Sequence, residues 1–421
     1  MEKLLTVSVA AYNVEQYLGQ TLRSLTGSSE LLEKIEVLVI NDGSTDHTAQ
    51  IAKQWEKQYP DTFRLITKTN GGHGSTLNCS IKAAKGKYFR MLDGDDWYDT
   101  VQLETFVKKL EETNADLILT PYERINEGDG HSEVFNNHQL NYGQLYPLKG
   151  ETYRKLENLQ VYEMTVKTSL LKDHSVHLTE HCYYTDTALV IYMFLFSDTI
   201  IKFSDNVYRY RWGVSGQSVS DLGRKRHWKD GGRVTIDIVN FISPYMKQYS
   251  QEKRNYLYHL LCGSLNFHYR SFLLVDDLEI VKPYVHTLNN RLKSLDQEFA
   301  QYIDRTSKWK RLTDLLLFVL PEKYERTKKG IVIFGAGTIG DLSASILREE
   351  HIPIAAIADN QKEKWGQKLY DIPICSPANA FFPDETTYFI AVLRDAGQIR
   401  EQLKQMGIHD ENIIAAGLTD K

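Results

Sequence analysis

Four short segments in the first hundred residues carry mostly apolar side chains, and three of them stop abruptly at polar clusters. Leu4 to Ala11 ends in Tyr12-Asn13, and Ile35 to Ile40 ends in Asn41-Asp42-Gly43-Ser44. Phe63 to Ile66 is a further run, and Tyr88 to Leu92 ends in Asp93-Gly94-Asp95-Asp96. Between the runs the period changes. Tyr17, Leu18, Thr21, Leu22 and Leu25 recur at helical spacing, and Asp46 offers an N-cap to a helix that turns Ile51, Ala52 and Trp55 inward. Thr76 to Ala84 reads as a third helix. Strands that are apolar on both faces and separated by helices predict a parallel sheet covered on both sides. Such sheets bind ligands beyond the C-terminal ends of their strands, where the polar clusters stand.

The rest of the chain is read less sharply. Asp116 to Thr120 reads as a strand, Asn126 to Asn141 as a surface loop, Thr165 to Asp173 and Tyr183 to Phe196 as helices, and Thr199 to Tyr208 as strand. Ser220 to Pro321 is mostly helical, Pro321 to Lys329 has the charge of a linker, and Gly330 opens a new strand–turn–helix unit. At roughly 150 residues per domain, 421 residues suit two or three domains. The expected division is 1–220, 221–327 and 328–421. Hydrophobic residues at 42% and charged residues at 25% exclude a largely disordered chain. The net charge of −5 gives no field to recruit nucleic acid, so no nucleic-acid partner is expected. The longest apolar run, Ala188 to Phe196, has nine residues; a bilayer crossing needs about 20. Cys79, Cys182, Cys262 and Cys375 form no CxxC pair and are expected to be reduced. With no leader pattern at Met1 to Thr6, the expected location is cytoplasmic, with peripheral contact at the inner face of a membrane as an extension.

Three clusters carry the chemistry: Asn41 to Asp46, Asn70-Gly71-Gly72-His73-Gly74-Ser75, and Leu92-Asp93-Gly94-Asp95-Asp96-Trp97. In this order and spacing they resemble family 2 of the nucleotide-sugar glycosyltransferases, over roughly residues 4 to 220. The resemblance implies a GT-A nucleotide-sugar-binding domain with a mixed, mainly parallel sheet. It implies a UDP-sugar donor, a glycan, glycoprotein or lipid-linked acceptor, and a divalent cation, Mn²⁺ or Mg²⁺. Asp95 matches the metal-binding aspartate and Asp93 the one approaching the ribose or the metal shell. Such cations need only one or two protein carboxylates, since phosphates and water supply the rest. Asp96 is either an orienter behind them or a turn cap. Asp42 matches the aspartate that accepts the nucleobase N–H, beside an alternative as the Asx-turn residue closing Gly43-Ser44. Ala10, Ala11, Tyr12 and Asn13 line the expected base pocket. Asn70 and Gly71 belong to a loop that departs from the commoner pattern, with His73 and glycines where a basic side chain usually stands. His73 reads either as a packing residue or as a ligand, and Asn78 as a helper on the following helix.

Glu180 to Thr187 resembles the acceptor-side segment of the family, with Thr185 where a glutamate is usual. Asp186 is the expected general base, against an alternative as helix N-cap, and Glu180 is the reserve. Tyr208 to Arg211 and Gly216-Gln217-Ser218 resemble the closing segment, with Arg211 as diphosphate partner and Ser218 as an added donor. Trp97 and Trp212 are either acceptor wall or packing. Arg224-Lys225-Arg226-His227 is either a membrane-facing patch or a solvated helix face.

Ile331 to Phe334 runs into Gly335-Ala336-Gly337-Thr338-Ile339-Gly340, and Asp359 follows at the end of the next strand-like run. This is the context of a Rossmann-like fingerprint, with Gly335, Gly337, Gly340 and Asp359 as candidate nucleotide contacts and NAD(H) or another nucleotide as ligand. A vestigial or homo-oligomer-forming module is the other reading. Two rival functions follow: an inactive nucleotide-sugar-binding scaffold, and an NAD(P)-dependent sugar-modifying enzyme.

Overall fold

The computed structural model describes residues 3–213, 220–382 and 386–415. The chain divides into two compact units, Met1–Gly223 with Lys229–Gly263, and Arg224–Trp228 with Ser264–Lys421. The expected helical region is therefore shared between the two units instead of forming a part of its own.

In the first unit, strands β1 (Leu5–Ala11), β2 (Ile35–Asn41), β3 (Phe63–Thr67) and β4 (Tyr88–Asp93) are mutually parallel in the order β3-β2-β1-β4. Every residue of β2 is buried, as a strand covered on both faces requires. The sheet continues past β4 through Met164–Lys167, Leu117–Leu119, Thr199–Lys202 and Leu145–Pro147, where every pairing is antiparallel except that between Leu117–Leu119 and Thr199–Lys202. Polar side chains inside the layer are paired: Thr6 Oγ1 donates to Glu36 Oε1, and Ser8 Oγ to Ser80 Oγ at 2.7 Å. Arg90, in the middle of β4, has no exposed surface. Its guanidinium donates to Thr165 Oγ1, Thr120 Oγ1 and the Tyr162 carbonyl, and lies over the rings of Tyr98 and Phe106. A second, four-stranded sheet is formed by Trp97–Tyr98, Tyr208–Trp212, Tyr122–Asn126 and Ser132–Phe135.

Several expectations are corrected here. Thr165 to Asp173 is not one helix: Met164–Lys167 is a strand, since Thr165 and Val166 pair with the sheet, and the helix begins at Thr168. The loop expected from Asn126 includes the strand Ser132–Phe135. Thr199 to Tyr208 splits between the two sheets. The expected linker is the helix Leu320–Thr327, with Pro321 in its first turn, where a missing N–H costs nothing. The apolar run from Ala188 forms the helix Asp186–Leu195, buried from Ala188 to Leu195.

The second unit combines helices such as Leu278–Leu295 and Gln297–Thr306 with a six-stranded sheet. Among the described residues, no helix is long and apolar enough to cross a membrane. All four cysteines are free.

Candidate active site

The sheet order β3-β2-β1-β4 reverses its winding between β1 and β4, the place where open sheets of this kind bind their ligands. The expected site residues lie around it. Asn13, just past β1, adopts φ 51°, and its Oδ1 accepts from the Thr45 N–H at 2.8 Å. Tyr12 beside it is half exposed, presenting a free ring face, while Ala11 is buried and its carbonyl accepts from Asp42 N.

Asp42 is 2% exposed and is surrounded by donors. Its Oδ1 receives the Gly71 N–H (3.0 Å), Lys68 Nζ (2.8 Å) and Ser75 Oγ (3.3 Å), and its Oδ2 the Gly72 N–H (2.8 Å). A carboxylate offers about four acceptor sites, two on each oxygen, so the loop fills Oδ1 and anchors Asp42, while Oδ2 with its single donor keeps one lone pair on the side expected to meet a nucleobase N–H. The Asx turn also belongs to its neighbour, because Ser44 N–H donates to Asn41 Oδ1. Asn70 Nδ2 donates to the Asp42 carbonyl, so Asn70 and Gly71 act as parts of one anchored loop. Lys68, two residues before Asn70, puts a basic group on this loop and pairs it with Asp42.

The loop delivers His73 to the N-terminus of the helix His73–Ala83. Gly74 is required there, because a Cβ would lie 2.1 Å from the Thr179 carbonyl oxygen. That close approach seats the acceptor-side segment against the helix. Asn78 completes the seat, exchanging hydrogen bonds with Leu178 and donating to Glu180 Oε1. Asn78 and Glu180 thus hold the segment in place.

His73 joins the two halves of the site. Its Nδ1 lies 3.1 Å from Thr185 Oγ1, and its Nε2 lies 3.3 Å from Asp93 Oδ1. Burial works against its proton, but Asp93, Asp186 and Asp95 outweigh it and raise the imidazole pKa. Three acids separated by up to 93 positions in sequence therefore act on one ring. Burial raises the pKa of Asp186, opposed by His73. Burial followed by the charge of Asp93 pushes Asp95 up to about 6. Tyr162, Tyr208 and Tyr210 pack together behind the acids, with centroids of Tyr162 and Tyr210 4.7 Å apart. These rings supply the desolvation, and their wide spacing in the chain hides them from a motif search.

Asp96 accepts from Tyr208 Oη at 2.6 Å and from the Arg211 N–H at 2.7 Å, so it fastens the strand Tyr208–Trp212 to the acidic turn. Arg211 departs from the expected diphosphate contact. Its guanidinium stacks between Tyr17 and Trp97, each centroid 4.7 Å away, and bonds to the Asp95 carbonyl, Glu127 and Gln20. Those bonds hold it as a structural clamp. Trp97 is accordingly packing, and Trp212 packs against Arg124. Ser218 and Gln217 lie outside the described residues. In the basic patch, Arg224 is buried over Phe267 and Lys225 pairs with Asp276, which removes two of its charges from a free face.

Among the described residues, no three His, Cys, Asp or Glu side chains form a metal cage. A cation that keeps phosphate and water in its shell needs less. Asp95 and Asp93 are hard oxygen donors two residues apart, and Asp95 is held in a buried setting that disfavours its charge unless a cation is near. The donor set fits Mg²⁺ or Mn²⁺.

The sheet order and the acid-lined crevice define a GT-A fold, and comparison with known proteins agrees. The crystal structure of Staphylococcus aureus TarS 1-349 in complex with UDP-GlcNAc matches with a TM-score of 0.55 at 20% identity, covering 78% of this chain and 93% of that one. Residues 6–175 match the family model described as Glycosyl transferase family 2. Residues 327–414 match one described as C2185-like, N-terminal. Two curated relatives come from Streptococcus pneumoniae serotype 4. Glycosyltransferase GlyA is 31% identical over 173 residues, or 41% of this chain and 23% of GlyA. Glycosyltransferase GlyG is 25% identical over 222 residues, or 50% of this chain and 71% of GlyG.

Proposed function

We propose that this chain is a metal-dependent, inverting glycosyltransferase that moves a hexose or N-acetylhexosamine from a UDP-sugar to a hydroxyl of a glycan, glycoprotein or lipid-linked acceptor. One observation carries the reading: Asp93, Asp95 and Asp186 converge around His73 at the reversal point of the sheet. The UDP moiety is supported by the structural relative TarS, whose crystal structure holds UDP-GlcNAc, and by the exposed ring of Tyr12, which offers a stacking face.

Asp186 takes the proton from the acceptor hydroxyl as that oxygen attacks the anomeric carbon, and UDP leaves from the opposite face. An α-linked donor then gives a β-linked product. The raised pKa of Asp186 suits a base working near neutral pH. Its place in the first turn of its helix is fixed through Thr185, which His73 holds. Asp95, with Asp93 beside it, would hold Mn²⁺ or Mg²⁺. When bound, the cation neutralises charge on the departing diphosphate, worth several kcal/mol in the transition state.

The test is transfer from a radiolabelled UDP-sugar panel with Mn²⁺. Asp186→Asn should lower the rate by about 10²–10⁴ and leave Mn²⁺-dependent UDP binding intact. Full transfer by Asp186→Asn removes it from the base role. Binding without transfer across the panel, in the unmodified chain, supports an inactive binding protein instead.

A further inference from the structure

The helix Asp230–Met246 has no place in the reaction proposed above, yet it borders the turn that leads into Asp186. Both lie in the first unit. Backbone strain marks that turn. His181 has φ 52° and Tyr184 has φ 65°, the left-handed region that residues with a side chain seldom enter. Such conformations persist only where the surroundings over-determine them, and they cluster where function depends on geometry. Here two stand within four positions, directly before the expected base.

The turn is gripped from two sides. On one side stands the loop from Asn70: the Gly71 carbonyl accepts the His181 N–H, and His73 Nδ1 lies 3.1 Å from Thr185 Oγ1. On the other side stands the helix. Asp230, Arg233 and Asp237 are spaced by three and then four residues, which places them on one stripe of its surface. Asp230 Oδ2 accepts the Tyr183 N–H at 3.2 Å, and the Asp230 carbonyl accepts from Cys182 Sγ at 3.5 Å. Arg233 Nη1 donates to the His181 carbonyl at 3.4 Å, and Thr179 Oγ1 donates to Asp237 Oδ2 at 2.7 Å. An acid in the first turn of a helix is ordinary, because it offsets the helix dipole. A carboxylate bond to the backbone 47 positions earlier lies outside that role. Hydrogen bonds to an ionised group are also the stronger kind. The one from Asp230 falls on the residue immediately before the left-handed Tyr184, with only Thr185 between Tyr184 and Asp186.

We propose that Asp230 is a positioning residue for the base. Through the Tyr183 N–H it keeps the turn at Tyr184 wound, and that turn sets where the Asp186 carboxylate meets the acceptor hydroxyl. The inference rests on the reading of Asp186 as base. Its bond is made to the acceptor-side backbone, so its loss acts on the attack and leaves nucleotide binding unchanged. A misplacement of about 1 Å can cost a factor on the order of 10² in rate. Arg233 and Asp237 fasten the same segment further upstream, at His181 and Thr179.

Transfer kinetics of the full chain with the radiolabelled UDP-sugar panel and Mn²⁺ test this, on Asp230→Ala, Asp230→Asn, Asp186→Asn and the double variant Asp230→Ala with Asp186→Asn. Asp230→Ala should lower kcat by about 10- to 100-fold, while Mn²⁺-dependent UDP affinity, read by calorimetry, stays the same. Asp230→Asn keeps an oxygen that can accept the Tyr183 N–H, so it should restore kcat to within about threefold of the unmodified chain. In the double variant, Asp230→Ala should add nothing to the loss from Asp186→Asn, because no base is left to position. Should the alanine variant not fold, Asp230→Ser replaces it in every arm, since serine suits a helix start and is too short to reach Tyr183. An unchanged kcat in Asp230→Ala overturns the proposal, as does a loss that Asp230→Asn repeats in full. A loss that multiplies with that of Asp186→Asn, or that comes with weaker UDP binding, marks a general role in the fold and overturns it too. If Asp186→Asn transfers at the full rate, or the unmodified chain transfers from no donor, the base reading fails and this role with it. If Asp186→Asn is inactive while Asp230→Ala is unaffected, the positioning role alone fails.

Discussion

The two sheets of this chain share a strand order around their reversal points, yet the crevices they open carry opposite electrostatics. Beyond β1 and β4 the chain gathers Asp93, Asp95 and Asp186 with His73 as the nearest counterweight, and burial pushes Asp95 up to about 6. In the second unit the buried acid beside the reversal point is Asp359, which follows the second strand, where Asp42 stands in the first unit. Burial raises its pKa, but hydrogen bonds from Gln361, Lys364 and Ala336 outweigh that and hold it below its ordinary value. One topology therefore carries two different acid environments: clustered carboxylates whose burial disfavours their charge in the first unit, and a single carboxylate held by its donors in the second.

The largest expected effect is on transfer. Asp95→Ala should cost a factor on the order of 10³ or more, several kcal/mol of lost charge stabilisation, together with the Mn²⁺ dependence of UDP binding. Radiolabel transfer and calorimetry with and without Mn²⁺ check this, and an unchanged rate would break the contrast outright. The second effect is on stability, and its sign separates the two crevices. Asp95 holds its proton more tightly folded than unfolded, so its ionisation destabilises the fold as pH rises from about 4 to about 6. Asp95→Asn without metal should then stabilise the chain at pH 7 by on the order of 1–3 kcal/mol, with the gain gone below pH 4. Asp359 behaves oppositely: its contribution is present above the unfolded carboxylate pKa and is lost as pH falls below it. Asp359→Asn should destabilise the second unit at pH 7 by about 1–2 kcal/mol. Urea melts of both variants at pH 4 and pH 7 measure the two signs. The smallest effect on transfer is Gly74→Ala. The helix must retreat from the Thr179 carbonyl, which should lower transfer several-fold through the displaced Asp186 and cost about 1–3 kcal/mol, read from the rate and the urea midpoint.

The parallel half of the first sheet was legible because its strands are apolar throughout and end in polar clusters, a pattern set by local burial. The acids Asp93, Asp95 and Asp186 were legible as a set through their resemblance to a family. Partners were not. Whether Asp42 faces a ligand or its own loop depends on Lys68 and on the N–H groups of Gly71 and Gly72, and hydrogen-bond saturation cannot be counted from spacing. Arg211 illustrates the same limit, since the rings and acceptors enclosing it come from residues 17 to 127. The antiparallel part of the sheet was misread at Thr165 because a strand of four residues shows only two periods of alternation. Pro321 suggested a break, yet at the start of a helix proline is well accommodated.

Arg90 has a consequence for anyone dividing this protein into pieces. The two terminal nitrogens of its guanidinium donate to Thr120, Tyr162 and Thr165, all contributed later in the chain. A fragment stopping near residue 110 would keep every parallel strand and still strand a cation in dry surroundings. The early half of the sheet should therefore wait on the ribosome for residue 165 before it can settle.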